Sequence, residues 1–342
     1  MSTSKEQEYS YSAEDVKKIK SVAKQYHATE FASPLFYLFA NIICILAILY
    51  MIRSRKQKIP LFVSIFIMAF FLVRFFIMFH DMGHKSFFPS TERETKEYGV
   101  NFFAAQCIEG VNLFKASYWM SVHGAHHKAL GNMNIYDDAR TVMTLSEYEK
   151  LPKYQQVLYD TFRNPFLFFT IAPLYIYWIS RFVNHEWMML LKYTIFLILL
   201  YKVGSYKLLF AFITAQYIGG IIGLMLFHLQ HQVNVGFWKR FPEYDELSKD
   251  NAELRGSSVL KIPWGLDFFT NGIEYHNVHH IDPGVPSYKI KACYYDLVNR
   301  GLIPDRKVGY LQAFKSLFHV IYNEKTQRYE SSPFFRSLGL QG

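Results

Sequence analysis

The chain has 342 residues, of which 51% are hydrophobic and 18% aromatic, and it carries a formal net charge of +9. Its length suits one or two domains. Its apolar residues come in long blocks, and Lys and Arg are concentrated outside these blocks. This pattern favours basic segments that lie at the cytoplasmic face of a membrane over basic segments that bind nucleic acid. The three scattered cysteines argue against a disulfide framework, and the polar first 30 residues show no signal-peptide pattern.

Residues 12–26 predict a short basic amphipathic helix. Ser12 and Asp15 have the spacing of a capping box at its start. The apolar face would comprise Val16, Ile19, Ala23 and Tyr26. Two interpretations stay open: a helix lying on anionic lipid, or an ordinary solvated N-terminal helix.

Three apolar runs are long enough to predict membrane-spanning helices. They cover residues 34–52, 60–79 and 165–183. Residues 99–114 are apolar but interrupted by polar side chains, which predicts a helix lying in the interface or packed under the polar region.

The stretch from 187 to 227 is ambiguous. It contains a short apolar run, 188–201, and a longer one, 208–227, separated by Lys202, Gly204 and Lys207. It therefore offers length for two segments. One of them would be re-entrant or interfacial, or residues 187–203 would lie flat.

Two long polar regions, 80–164 and 228–342, carry most of the Lys and Arg. The predicted fold is an all-α integral membrane protein with about four transmembrane helices, interfacial helices and a helical cytosolic cap. We expect a polar N-terminal segment over 1–33, a membrane domain with its cap over 34–300, and a C-terminal cytosolic tail over 301–342.

Twelve of the 13 histidines lie at or after residue 80, and most of them form clusters. One cluster is an HxxxH motif at the end of the second apolar run, and two are HxxHH motifs. The clusters are His80 with His84; His123 with His126 and His127; and His276 with His279 and His280. A further pair, His228 and His231, follows the last apolar run.

The histidine spacing predicts a metal site. Residues three and four apart project from the same side of a helix, so each motif can present its imidazoles together. Three converging motifs give eight imidazoles, more than one metal ion holds, and so predict two metals with open positions. Imidazole suits iron, zinc and copper alike, so the motifs alone do not choose the metal.

Two other interpretations of the clusters are weaker. Chance surface or core histidines are improbable, because two HxxHH motifs and one HxxxH occur in one chain. A metal transporter would place ionisable residues along a pathway at membrane depth. Here each cluster lies at or beyond the end of an apolar run, which favours a site at the membrane surface.

Four stretches resemble the membrane fatty acid desaturases, and most closely the acyl-lipid branch of the delta-12/omega-6 type. They are HDMGHKSFF, WMSVHGAHHKALGNMN, FHLQHQVN and GSSVLKIPWGLDFFTNGIEYHNVHHIDPGVPSYKI. The resemblance covers roughly residues 34–300. These motifs are specific for the non-haem diiron membrane oxidases, and less so for desaturation, since relatives hydroxylate alkyl chains.

The resemblance implies two iron ions, O2 as co-substrate and two electrons that insert a cis double bond into an acyl chain. The implied iron ligands are His80, His84, His123, His126, His127, His231, His276, His279 and His280. His228 is adjacent but unmatched. The chain has no HPGG sequence of a fused cytochrome b5 domain, so the donor would be a separate protein of cytochrome b5 or ferredoxin type.

The other implied partners are an acyl-lipid or acyl-CoA substrate and membrane lipid, without nucleic acid. The histidines would lie on the cytosolic face, of the endoplasmic reticulum in a eukaryote or the inner membrane in a bacterium. Two alternatives remain: a diiron alkyl or lipid hydroxylase, and a non-catalytic membrane metal-binding protein.

Several neighbours could orient the imidazoles by accepting a ring N–H. The candidates are Asp81, Asn271, Glu274 and Asp282, each of which could equally be a solvated loop residue. Trp119, four residues before His123, could wall the site or be an interfacial packing residue.

The topology holds one conflict. A shared site requires an even number of crossings between the second and third motifs. The same requirement places the basic segment 53–58 on the side of the membrane opposite the histidines. The positive-inside rule would instead place this segment in the cytoplasm. The shared site has priority because the two polar regions carry many more Lys and Arg; alternatively, the first two apolar runs do not fully cross.

Overall fold

The computed structural model describes residues 10–54, 58–90, 98–135, 142–233 and 238–339. Its elements are, in chain order, α1 Ala13–Ala23, a 3-10 turn Lys24–Tyr26, α2 Ala32–Arg53, α3 Leu61–Gly83, α4 Val100–Asn112, α5 Ala116–Ala129, β1 Met143–Thr144, α6 Leu145–Glu149, α7 Lys153–Phe162, α8 Pro165–Leu174, a π-helical turn Tyr175–Ile179, α9 Ser180–Val183, α10 Trp187–His231, α11 Glu246–Arg255, α12 Asp267–Thr270, α13 His276–Ile281, α14 Ser287–Asn299, α15 Tyr310–Ser316, β2 Ile321–Asn323, β3 Arg328–Glu330 and α16 Pro333–Ser337. The predicted all-α membrane architecture is confirmed.

Helix α1 begins at the predicted capping box. The Ser12 side chain accepts from the Asp15 backbone, and the Asp15 carboxylate accepts from the Ser12 backbone. Its apolar face, including Val16 and Ile19, is buried in a core shared with Tyr294 of α14. Because protein covers that face, it is not available to lipid.

Helices α2 and α3 form an antiparallel hairpin long and apolar enough to cross a membrane, by length and composition. The Asn41 amide of α2 donates to the Phe71 carbonyl of α3 at 3.3 Å. Their connection is the basic segment 53–58, of which residues 55–57 lie outside the described residues. Helix α3 continues through His80, so it carries the first histidine motif away from the apolar layer.

Helices α4 and α5 form a second hairpin, too short to cross. Leu113 at their junction has a left-handed backbone, φ 56°. The Glu109 carboxylate accepts from the Ala116 backbone at 2.9 Å and thus holds the turn closed. The Phe114 ring lies 5.3 Å from the ring of Phe76. Phe76 is one helical turn before His80 on α3. The predicted packed helix over 99–114 is therefore present as α4.

Element α10 consists of two helices joined as a hairpin, because its backbone leaves the helical conformation at Gly204 and Ser205. The arms, 187–203 and 206–231, run antiparallel. The Phe196 and Phe212 rings lie 5.0 Å apart, and the Tyr193 hydroxyl donates to the Gln216 side chain at 2.5 Å. The ambiguous stretch thus contains two helical segments that pack against each other.

Parity decides how many of these segments cross. His126 and His231 have ring centroids 4.7 Å apart, so they share one face of the membrane. Residues 165–183 and the two arms of α10 lie between them in the chain, and three complete crossings would separate them. Because the arms pack side by side, we expect them to cross as a pair. Residues 165–183, which are also long and apolar enough to span, are then predicted to lie along the interface.

The polar regions join into one cap. Strand β2 pairs in parallel with β1 and antiparallel with β3, so residues 321–330 of the C-terminal segment are tied to the first polar region. Helix α13, which carries the third histidine motif, packs between α11 and α14. The cap thereby brings the last motif over the ends of α3 and α10.

The parity argument predicts the sidedness of two exposed loop positions. In a background without the native cysteines, Asn184→Cys should react with a membrane-impermeant maleimide from the same side as a cap reporter, Tyr244→Cys. Ser205→Cys at the hairpin tip should react only from the other side. Labelling of sealed vesicles measures this, and reaction of position 184 from the Ser205 side would show that residues 165–183 span.

Candidate metal centre

Eight of the nine histidines predicted as ligands form two groups of four, each with ligand nitrogens within 4.8 Å of one another. The first histidine group is His80, His84, His123 and His279. The second histidine group is His126, His231, His276 and His280. Helix α3 contributes only to the first group and α10 only to the second, whereas α5 and α13 contribute to both.

The helical spacing explains how α5 and α13 serve both groups. Residues i and i+4 project in nearly the same direction, and residue i+3 lies to the other side of them. On α13, His276 and His280 enter the second group, and His279 enters the first. On α5, the reverse occurs: His123 enters the first group, and His126 enters the second. Each HxxHH motif therefore faces two centres at once.

His127, the ninth predicted ligand, lies between the groups. Its Nε2 is 3.2 Å from that of His123 and 3.1 Å from that of His279, both in the first group. Its ring stacks on His280 of the second group, with centroids 4.2 Å apart. Its contacts through Nε2 associate it with the first group.

The ring nitrogens meet at distances that suit shared metal ions. In the second group, His276 Nε2 lies 3.0 Å from His231 Nε2 and 3.1 Å from His280 Nε2. Two imidazole nitrogens bound at right angles to one ion, each at about 2.1 Å, would lie about 3.0 Å apart. Six of the nine histidines are at most 6% exposed, so most of this nitrogen cluster is shielded from water.

Burial keeps these imidazoles uncharged. Loss of hydration, and then repulsion from neighbouring imidazoles, lowers the pKa well below its ordinary value at five positions outside the apolar helices. They are His123, His127, His276, His279 and His280. The neutral ring is the form that binds a metal. The donor set, its burial and its protonation state therefore all fit two metal ions.

Among the four predicted orienting residues, Asp81 has a hydrogen bond with a motif histidine. Its Oδ1 lies 3.1 Å from His80 Nδ1, and its Oδ2 accepts from the Ser287 backbone at 2.7 Å. This bond directs His80 Nε2 toward the first group. Asp81 is 1% exposed, so it also links α3 firmly to the start of α14.

The other three candidates have different contacts. Glu274 accepts from the Thr270 hydroxyl at 2.7 Å, and burial raises the pKa of its carboxyl. The Asn271 amide donates to the Ser287 hydroxyl at 2.5 Å. Asp282 binds His27 Nε2 at 2.9 Å. These residues shape the loop around the third motif.

Sequence reasoning missed the role of His27, the one histidine that precedes residue 80. It joins the N-terminal segment to the loop after the third motif, and the Lys289 side chain donates to its carbonyl at 3.0 Å. A single histidine remote from every motif carries no signal in the sequence, because only folding brings it to Asp282.

Trp119 forms part of the wall of the first group. Its indole stacks on His123 with centroids 4.5 Å apart and an interplanar angle of 19°. A Cβ built on Gly83 would collide with that indole. The glycine inside the first motif therefore lets Trp119 lie against α3 beside the histidines.

His228 lies outside both groups. Its Nε2 is 3.0 Å from the Ser316 carbonyl, and its ring meets Phe169 edge-on at 5.5 Å. It is buried, so it links α10 to the cap and does not face solvent.

A cavity of about 660 Å³ opens from the two groups between α3, α5, α8, α9 and α10. His80, His123, His126 and His276 line one end. The rest of the lining is mostly apolar, with Phe76, Trp119 and Leu226 among its walls. It also includes polar side chains, namely Asn112, Ser180, Arg181, Asn184 and Gln216. The volume lies within the usual range of small-ligand pockets.

Comparison with known proteins gives consistent matches. A family model described as fatty acid desaturase matches residues 58–313. A fatty acid desaturase of Bacillus subtilis is 30% identical over 229 residues, which cover 64% of this chain and 62% of the relative. An sn-1 oleoyl-lipid 12-desaturase of Picosynechococcus is 22% identical over 63% of this chain and 62% of the relative.

A chloroplastic omega-6 fatty acid desaturase of Arabidopsis thaliana is 25% identical over 63% of this chain and 48% of the relative. The chain thus spans about half to three fifths of the length of these relatives.

Two histidines three residues apart on α10 provide a matched test of the second group. His231→Ala should lower bound metal by about half, because it removes a ligand nitrogen from one of two centres. His228→Ala removes an equally buried imidazole that lies outside both groups and should leave the metal content unchanged. Elemental analysis of the purified proteins measures both, and equal metal loss in the two variants would contradict the assignment.

Gly83→Ala should lower both metal content and thermal stability, because its new methyl group displaces Trp119 from His123. Overpacking of this kind costs about 1–3 kcal/mol. Gly110→Ala is the control, since a Cβ there would meet the Lys192 Cβ at 3.6 Å, an ordinary contact. Thermal unfolding in detergent should show Gly83→Ala below wild type and Gly110→Ala at or above it.

Proposed function

The chain belongs to the fatty acid desaturase family, and on that premise we propose that it is a membrane acyl-lipid desaturase that inserts a cis double bond into an acyl chain with O2 and two electrons. The observation that carries the proposal is the cavity of about 660 Å³ that leads from the histidine groups between membrane helices. A site that only stored metal would need no apolar channel of this size.

The proposed centre contains two iron ions. The first histidine group with His127 would hold one ion through five imidazoles, and the second group would hold the other through four. Bound iron would supply an oxidant made from O2, which is strong enough for an unactivated methylene. Asp81 holds the His80 ring in the orientation that presents Nε2.

The chain's own residues position the substrate and limit access of water. Phe76, Trp119 and Leu226 give the cavity apolar walls that match an acyl chain. Gly223 also lines it, and a Cβ there would meet nothing within 4 Å, so this glycine leaves the channel wide two turns before His231. The walls therefore align a methylene pair beside the histidines, which is the main task of the protein in such a reaction.

We place the histidine groups and the cap on the cytosolic face, where a separate electron donor of cytochrome b5 or ferredoxin type would dock. The substrate is an acyl lipid or acyl-CoA. Residues 1–33 and 301–342 flank the membrane domain as terminal cytosolic segments.

Expression in a yeast and a bacterial host, followed by fatty-acid methyl ester analysis, tests the activity with both classes of electron donor. A new cis double bond should appear with the wild type and be absent with His279→Ala, which removes a first-group ligand while leaving membrane insertion intact. A hydroxylated chain without a new alkene would establish the hydroxylase alternative. Bound metal without O2 consumption under reducing conditions would establish a non-catalytic metal-binding protein.

A further inference from the structure

Helix α7 has its apolar side chains on the outside of the protein. These side chains recur at the spacing of one helix face, continue into the first turn of α8, and are each more than half exposed. They are Tyr154, Val157, Leu158, Phe162 and Phe166. A surface helix of a water-soluble domain has the opposite arrangement, with its apolar stripe toward the core. The exposed face of α7 therefore suits an apolar environment.

The opposite side of α7 is polar and is bonded to the cap. The Gln156 amide donates to the Tyr148 carbonyl at 3.2 Å, and the Tyr148 hydroxyl donates to the buried Asp160 carboxylate at 2.8 Å. The Tyr159 hydroxyl donates to the Val320 carbonyl, just before β2, at 2.6 Å. These bonds hold the helix against the cap with its apolar face turned outward.

The apolar face of α7 continues into a segment that suits lipid. Only two residues separate α7 from α8, and the Asn164 side chain caps the start of α8. Residues 165–183 are long and apolar enough to cross a membrane, and most of them are not buried by protein. Helix α7 has 10 residues and a length of about 15 Å, about half of the hydrocarbon thickness, so it is too short to cross.

Cationic side chains lie at both ends of the apolar stripe. Lys150 and Lys153 precede it and are exposed. Arg163 follows it, and its guanidinium lies over the rings of Tyr159 and Phe168 at 5.6 and 5.3 Å. Lysine and arginine side chains at such positions place their apolar stems along lipid and their charges among the headgroups. An apolar face flanked by cations is typical of a helix that lies in the membrane interface.

We propose that α7 lies in the plane of the membrane, with Tyr154, Val157, Leu158 and Phe162 among the acyl chains of the leaflet next to the cap. A helix of this kind buries its apolar face about 5–10 Å into the boundary between headgroups and acyl chains. Because α7 belongs to the first polar region and is bonded to the second at Val320, this contact holds the cap at one height above the bilayer. Lipid contact of this kind is independent of the proposed reaction.

Spin labels measure the depth of α7 in the full-length chain. Nitroxides are attached at Tyr154→Cys, Val157→Cys and Phe162→Cys, in a background without the native cysteines and in phosphatidylcholine bilayers. Each label should collide more often with O2, which concentrates in lipid, than with a water-soluble nickel chelate. The labels at Tyr154 and Phe162 should lie at similar depths, whereas a helix perpendicular to the membrane would separate them by about 12 Å.

Two exposed positions elsewhere calibrate the measurement. Phe66→Cys lies on the exposed face of α3 and should favour O2. Tyr244→Cys lies on the cap and should favour the chelate. A thermal unfolding midpoint equal to that of the cysteine-free parent shows that each labelled protein is folded.

Three results would overturn the proposal. Labels at Val157 and Phe162 that favour the chelate as strongly as the Tyr244 label would show that water covers this face. A steady increase in depth from Tyr154 to Phe162 would show that α7 extends a membrane-crossing segment. Loss of collisions with both reagents, together with dipolar broadening between labels, would show that a second copy of the chain covers the face.

Discussion

The convergence of uncharged imidazole nitrogens is the interaction on which the rest of this structure depends. Nine histidines from α3, α5, α10 and α13 meet, and six of them are at most 6% exposed. Burial lowers the pKa of the five that lie outside the apolar helices, namely His123, His127, His276, His279 and His280. Such a cluster gains nothing from hydration and little from hydrogen bonds between its own members. Its stability must come from packing around it, and in the proposed enzyme from bound metal, because a ligand that binds only the folded state stabilises that state.

Three features of the fold serve that convergence. The α2–α3 and α10 hairpins return the chain to the same face, so that His84 and His231 arrive at one level. The α4–α5 turn, closed by Glu109, sets His123 and His126 between them. The cap places α13 against the side of the histidine cluster that the other helices leave uncovered. Two contacts hold the cap there, Asp81 with Ser287 and His27 with Asp282. Each contact contributes a modest free energy, and together the contacts hold the nine imidazole rings in one arrangement.

The same arrangement creates the cavity. Helices that bring histidines to one end must diverge elsewhere, and glycines line the wall that α10 presents to the resulting space. At Gly220 a Cβ would come within 2.6 Å of Tyr177, so close packing requires glycine there, whereas at Gly223 the space is open.

The sequence by itself determined the apolar helices, the α1 capping box and eight of the nine histidines that meet, because these follow from local periodicity and from i, i+3 and i+4 spacing. His231 was predicted from the resemblance to the desaturases. Only the tertiary structure decided how those histidines divide. His279 meets His80 of α3, whereas His276 meets His231 of α10, and the spacing does not identify these partners. The fold of residues 187–231 was undecided for the same reason. Lys202, Gly204 and Lys207 mark a break, but packing of Phe196 on Phe212 sets its direction. His27 acquires its contact with Asp282 from a segment distant in the chain, and no local pattern could have identified it.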